Sequence, residues 1–172
     1  AHNPWRGLED ILKMWPAIQS GISEAELHVF SGGFFDADTD TQKHYDWLQV
    51  EYSKLSNVYF NNLVPEHELE KEYQTSRMYL YPGDTPETFG ISALHAIATG
   101  TPIVMNAVWG LVETAPSDVA KHAYFNDTRE EQFVAHIMRL YYDDLEWEIL
   151  HNNSKKIDCS WSTVKKELLK HV

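Results

Sequence analysis

The stretch Glu87-Thr-Phe-Gly-Ile-Ser-Ala-Leu-His-Ala-Ile-Ala-Thr-Gly-Thr-Pro102 decides the reading of this chain. A carboxylate and a glycine turn stand just ahead of a short apolar helix. The N–H groups at a helix start have no partner within the helix, so they face whatever lies beside Glu87, and that arrangement suits a sugar carried on a diphosphate. Ala93, Leu94, Ala96, Ile97 and Ala98 bury easily against a sheet, and Gly100 with Pro102 stops the helix before Ile103-Val-Met105 begins a strand. The order is therefore loop, anion-facing helix start, helix, buried strand.

Working outward, Leu8, Ile11, Leu12, Trp15 and Ile18 recur at helical spacing and stop before Gly21. Strands are expected over 26–31, 58–61 and 78–81 and, weakly, around Tyr124; helices are expected over 45–54, 67–74, 130–142, 145–155 and 162–171. Strands alternating with helices predict an α/β fold, a Rossmann-like parallel sheet of five or so strands with helices on both faces. Ligands of such sheets bind outside the strand carboxyl ends. Arg6, Asn62, the 83–90 loop and the 106–113 loop all fall at that edge. The first helix has no strand ahead of it.

Composition narrows the classes. At 172 residues the chain fits one domain, given about 150 residues per domain. No run approaches the roughly 20 apolar residues of a membrane span, and the first residues lack the apolar core of a signal peptide, so a cytoplasmic protein is expected. Cys159 is alone, which removes an intrachain disulfide or a cysteine zinc cluster, and the two Asn-x-Ser/Thr matches at Asn126 and Asn152 are then chance. The formal charge of −12, from 14 Lys plus Arg against 26 Asp plus Glu, disfavours nucleic acid as a partner. A small anion needs only a helix start and one or two local cations. There is no His-Glu-x-x-His pair, P-loop or hydrolase elbow, and no metal site or cofactor is expected.

The 87–102 segment resembles the signature of retaining, nucleotide-sugar-dependent glycosyltransferases of family 4, which carry two Rossmann-like domains in the B-type glycosyltransferase fold. Glu87, Phe89, Gly90, Ala96, Gly100, Pro102 and Val104 match that signature in order and spacing, and His95 stands where it has a second glutamate. The likeness covers almost the full chain. Arg6-Gly7-Leu8 resembles the family's Lys/Arg-Gly-Leu turn, Glu26 to Gly33 a strand, Val58 to Leu69 a strand and helix, Trp109-Gly110 to Glu113 its Gly-Gly-x-x-Glu turn, and Ser160-Trp161 a motif near its end. The resemblance implies that residues 1–172 form the C-terminal, nucleotide-sugar (donor) binding half of a two-domain enzyme, with the first strand of that half and an N-terminal acceptor domain missing.

It also implies roles. Glu87 would accept hydroxyls of the donor sugar and Arg6 would grip the diphosphate, the two catalytic assignments; each has a plain alternative, a solvated loop acid and a solvated arginine. Phe89, Gly90 and Ile91 would supply backbone N–H groups, and Ser92 would cap the helix or touch a phosphate. His95 would offer the ribose one acceptor where the family offers two; a structural histidine and loss of activity are the other outcomes. The backbone at Asn62 and Leu63 would meet the nucleobase, with asparagine there tolerating a left-handed turn. Trp109 and Gly110 would lie near the phosphates, Trp109 narrowing the pocket or packing the loop. Asp36 and Asp38 have the Asp-x-Asp spacing of metal-dependent transferases, for which a solvated acidic loop is the favoured reading.

The expected function is transfer of a hexosyl unit from a nucleoside diphosphate sugar to a glycan or lipid acceptor with retention, independent of metal, the isolated chain being inactive. Peripheral membrane association stays open for the full-length protein. A catalytically lost glycan-related binding module is the alternative, and a nucleotide-sugar epimerase half a weaker one.

Overall fold

The computed structural model describes residues 3–31, 39–124 and 126–158, with Thr39 described through its backbone alone. The Asp36 and Asp38 loop, Cys159, Ser160-Trp161 and the helix expected over 162–171 lie outside the described residues. The remaining elements follow the expected alternation closely: α1 (Leu8–Gly21), β1 (Leu27–Phe30), α2 (Thr39–Glu51), β2 (Val58–Asn61), α3 (Glu66–Thr75), β3 (Tyr79–Tyr81), α4 (Ile91–Thr99), β4 (Ile103–Asn106), α5 (Leu111–Thr114), β5 (Ala120–Ala123), α6 (Arg129–Tyr142) and α7 (Asp144–Ser154). The weak strand sits a little earlier than expected, ending before Tyr124, and the one-turn α5 is an addition.

All strand pairs are parallel. β1 pairs with β2, Leu27 opposite Val58, while β4 lies between β3 and β5, Ile103 opposite Tyr79 on one side and Ala120 on the other. The expected single sheet is thus divided into a two-stranded and a three-stranded part, with the facing edges of β1 and β3 unjoined.

β4 is buried along its whole length, as a central parallel strand must be, and its alternating side chains feed two separate cores. Val104 joins Ile11, Leu12, Trp15 and Ile18 of α1 and Phe133, Ile137 and Leu140 of α6 on one face. Ile103 and Met105 join Tyr73 of α3 and Ala93, Ala96 and Ile97 of α4 on the other. The small residues of α4 let it lie close on the sheet. Its start is thereby fixed over the carboxyl ends of β3 and β4.

Candidate donor site

β3 ends at Tyr81 and the chain turns through Pro82 and Gly83 into the loop that carries Glu87. Buried Asn106, at the end of β4, donates its side-chain amide to the Pro82 carbonyl and pins the start of that loop. Its end is held by α5, where the Gly110 N–H donates to the Glu87 carbonyl at 3.0 Å. The turn ahead of α1 packs against it main chain to main chain: a Cβ on Gly7 would stand 2.3 Å from the Gly83 nitrogen. This contact brings Arg6 to Glu87.

Glu87 is only 9% exposed, so the solvated-acid alternative does not hold. Its Oε2 pairs with the Arg6 guanidinium and accepts from the Tyr81 hydroxyl at 3.2 Å. Its Oε1 accepts the Thr88 N–H at 3.0 Å and the Phe89 N–H at 3.4 Å. The Phe89 amide expected to face a ligand is therefore turned to the carboxylate. Arg6 is no free arginine either, although its side chain is 40% exposed and retains access to solvent. Burial pushes the Tyr81 phenol up, with the Arg6 charge pulling the other way, so the hydroxyl keeps its proton and donates.

Gly90 takes φ of 71°, a left-handed turn that glycine adopts without penalty, and opens α4. The first bonds back to its carbonyl come from Ala93 and Leu94, so the amides of Ile91 and Ser92 lie ahead of them at the positive end of the helix. Ser92 makes no cap bond; its hydroxyl accepts from Tyr79 at 2.9 Å. The Tyr79 phenol is raised by burial. One turn further on, His95 is 40% exposed, with Nε2 at 3.9 Å from Glu66 at the start of α3.

A cleft of about 1040 Å³ runs between β1 and β3, and its carboxyl end is lined by Arg6, Leu63, Glu87, Ile91, Ser92 and His95. Ser92 and His95 thus face an open space. Asn62, Phe89, Gly90, Trp109 and Gly110 do not line it. Neither Asn61 nor Asn62 is left-handed; the asparagine with positive φ is Asn57, ahead of β2. Trp109, at φ of 44° and 73% exposed, neither narrows the cleft nor packs the loop.

Tyr79, Tyr81, Asn106 and Arg129 were not among the expected residues. Arg129 of α6 reaches Asp84 in the same loop at 3.7 Å, and burial together with the Asp84 charge raises the carboxyl of Asp10. The signal for the two tyrosines was available: they share one face of a strand that ends at the signature loop. Among the described residues, no group of three or more histidine, cysteine, aspartate or glutamate side chains is placed to hold a metal ion, and no helix is long and apolar enough to cross a membrane.

The model of the glycosyl transferases group 1 family matches residues 2–157. The chain belongs to that family. An uncharacterized glycosyltransferase of Methanocaldococcus jannaschii is 27% identical over 165 residues, which are 94% of this chain and 40% of that protein. Among solved structures, TarM superposes with a TM-score of 0.75 at 11% identity, covering 99% of this chain and 33% of its own. The Anabaena protein HepE, solved with UDP and glucose, gives 0.73 at 14% identity, covering 98% and 45%. Sucrose-phosphate synthase of Thermosynechococcus elongatus gives 0.70 at 23% identity, covering 88% and 37%. At these identities the likeness shows the fold, that of the B-type glycosyltransferases. The chain spans about a third to under half the length of each of these proteins.

Proposed function

We propose that this group 1 glycosyl transferase domain is the donor half of a retaining enzyme that moves a hexosyl unit from a nucleoside diphosphate sugar to a glycan or lipid acceptor bound by a further domain. The observation that carries the reading is the buried Glu87 carboxylate, held by Arg6 and Tyr81 at the carboxyl mouth of the cleft and beside the start of α4. A diphosphate at this mouth competes with Glu87 for the Arg6 guanidinium and takes the Ile91 and Ser92 amides as further donors. Release of Arg6 then frees Oε2 to accept a sugar hydroxyl. Catalysis would rest on positioning and on stabilising the departing diphosphate, with no protein nucleophile required. The UDP-bound state of HepE supports UDP as the first nucleotide to try.

Titration calorimetry with UDP, GDP and their sugars, with and without chelator, tests the reading. One nucleoside diphosphate should bind equally well in both conditions, Arg6→Ala should weaken it, and Glu87→Ala should remove the affinity that the sugar conjugate adds over the free nucleotide. Binding that collapses on chelation and returns with manganese would shift the assignment to Asp36 and Asp38. A binding module that has lost catalysis is the second reading, favoured by His95 in the place of a carboxylate and by the full set of intrachain donors on Glu87; absence of any nucleotide binding would select it.

A further inference from the structure

On the donor reading of the cleft mouth, we infer that Tyr79 is a positioning residue for a bound nucleoside diphosphate. Its phenol holds the Ser92 oxygen as an acceptor, which turns the Ser92 hydroxyl proton outward as one more donor to phosphate beside the Ile91 and Ser92 amides. The hydrogen bond between the two side chains is 2.9 Å, with Tyr79 as donor. A phenol is more acidic than an aliphatic alcohol, and burial keeps its proton in place, so the chemistry of the pair sets the direction of this bond. Each hydroxyl carries a single proton. With the Tyr79 proton on Ser92, the serine proton must seek another acceptor.

A serine inside a helix ordinarily finds one in the carbonyl four residues back. Here that carbonyl belongs to Thr88, and it faces the turn at Gly110, where a Cβ would stand 2.2 Å from its oxygen. The Ser92 side chain instead lines the mouth of the cleft with Arg6, Glu87 and His95. A hydroxyl proton directed there meets whatever anion Arg6 and the helix start attract.

Tyr79 is held rigidly. It lies opposite Ile103 in the ladder of β3 and β4, and its ring stands edge-on to Tyr73 at 5.5 Å and tilted against Tyr81 at 6.4 Å. Both of those neighbours are buried. Ala93 and Ala96 carry α4 close over the same core, which brings its first turn down to the phenol. A group fixed on a strand positions its partner more precisely than a loop would. Tyr81, two residues on and on the same face, donates to Glu87 in the same manner. The two phenols form one layer beneath the mouth, Tyr81 acting on the group that meets the sugar and Tyr79 on a group that meets phosphate.

A double-mutant cycle on UDP affinity tests this in the 172-residue chain, with the phosphorus resonances of bound UDP as a second readout. Ser92→Ala should weaken UDP about tenfold, the size of one hydrogen bond to a charged group, and Tyr79→Phe, which keeps the ring and its packing, about threefold. In the Ser92→Ala background Tyr79→Phe should weaken it no further, because the phenol acts only through the serine. Both single variants should move the phosphorus signals, and Ser92→Thr, which keeps the hydroxyl, should keep the affinity. An equal loss from Tyr79→Phe with and without the serine overturns the inference, since the phenol would then act through packing alone. So does wild-type affinity in either Ser92→Ala or Tyr79→Phe, or a Ser92→Thr as weak as Ser92→Ala. In each of these cases UDP still binds and the donor reading stands. No binding of UDP by the wild type overturns both.

Discussion

Gly110→Ala should damage the candidate site without touching any group proposed to meet the donor. A Cβ on Gly110 would lie 2.2 Å from the Thr88 carbonyl oxygen, a backbone atom with no side-chain freedom to yield. Restoring ordinary contact requires a retreat of roughly 1 Å. Overpacking of this kind costs about 1–3 kcal/mol, and the same retreat breaks the bond from Gly110 to the Glu87 carbonyl, worth about 1 kcal/mol. A loss of about 2–4 kcal/mol in stability follows. Because Glu87 and Thr88 are adjacent, the carboxylate moves with the loop, and a 1 Å misplacement of a positioned group can cost on the order of 100-fold in activity. Thermal unfolding reads the first effect, and titration with a UDP-sugar reads the second through the sugar that Glu87 holds. Glu113→Ala, exposed on the same short helix, is the control and should leave both unchanged. Gly110→Ala with wild-type melting and wild-type UDP-sugar affinity would refute the proposal that this contact positions Glu87.

Trp109→Gly should instead stabilise the domain, by about 1 kcal/mol, because a left-handed tryptophan pays a steric penalty that glycine does not and its exposed ring buries little; a lower melting temperature would show that the indole makes a contact worth more than the strain. His95→Glu should tighten UDP binding by about 1 kcal/mol for one added hydrogen bond, and His95→Ala should weaken it. If neither changes affinity while Arg6→Ala reduces it, His95 is structural. Burial lowers the pKa of His136, so the unfolded chain takes up its proton first as the pH falls. Its contribution to stability is therefore present above about pH 6.5 and is lost as the pH drops toward the depressed folded value. The melting temperature of the wild type should fall more steeply between pH 7 and 5.5 than that of His136→Gln; parallel curves would refute this.

The alternation of elements was legible because periodicity is a local property, and so were the residues that gather at one edge. Arg6 and Glu87, 81 positions apart, were both assigned to the strand carboxyl end, and there they meet. Their pairing was not legible, since it depends on Gly7 passing against Gly83. The left-handed turn expected near Asn62 belongs to Asn57, because many residues tolerate several loop conformations and tertiary contacts select among them. α5 escaped notice as a single turn, too short to show a period. The short strand β5 was misplaced toward Tyr124, since Ala120 and Ala123 carry little strand preference and an aromatic neighbour carries more. The division of the sheet is a pairing property, which periodicity within a single strand does not report.

Chemical-shift mapping of the 172-residue chain with UDP tests the central claim most directly. The account predicts shifts concentrated on the Arg6 guanidinium, the Ile91 and Ser92 amides and the His95 ring, with the Glu87 backbone responding as Arg6 is drawn away. Shifts confined to surfaces away from the mouth of the cleft, or no shift with UDP at millimolar concentration, would contradict it.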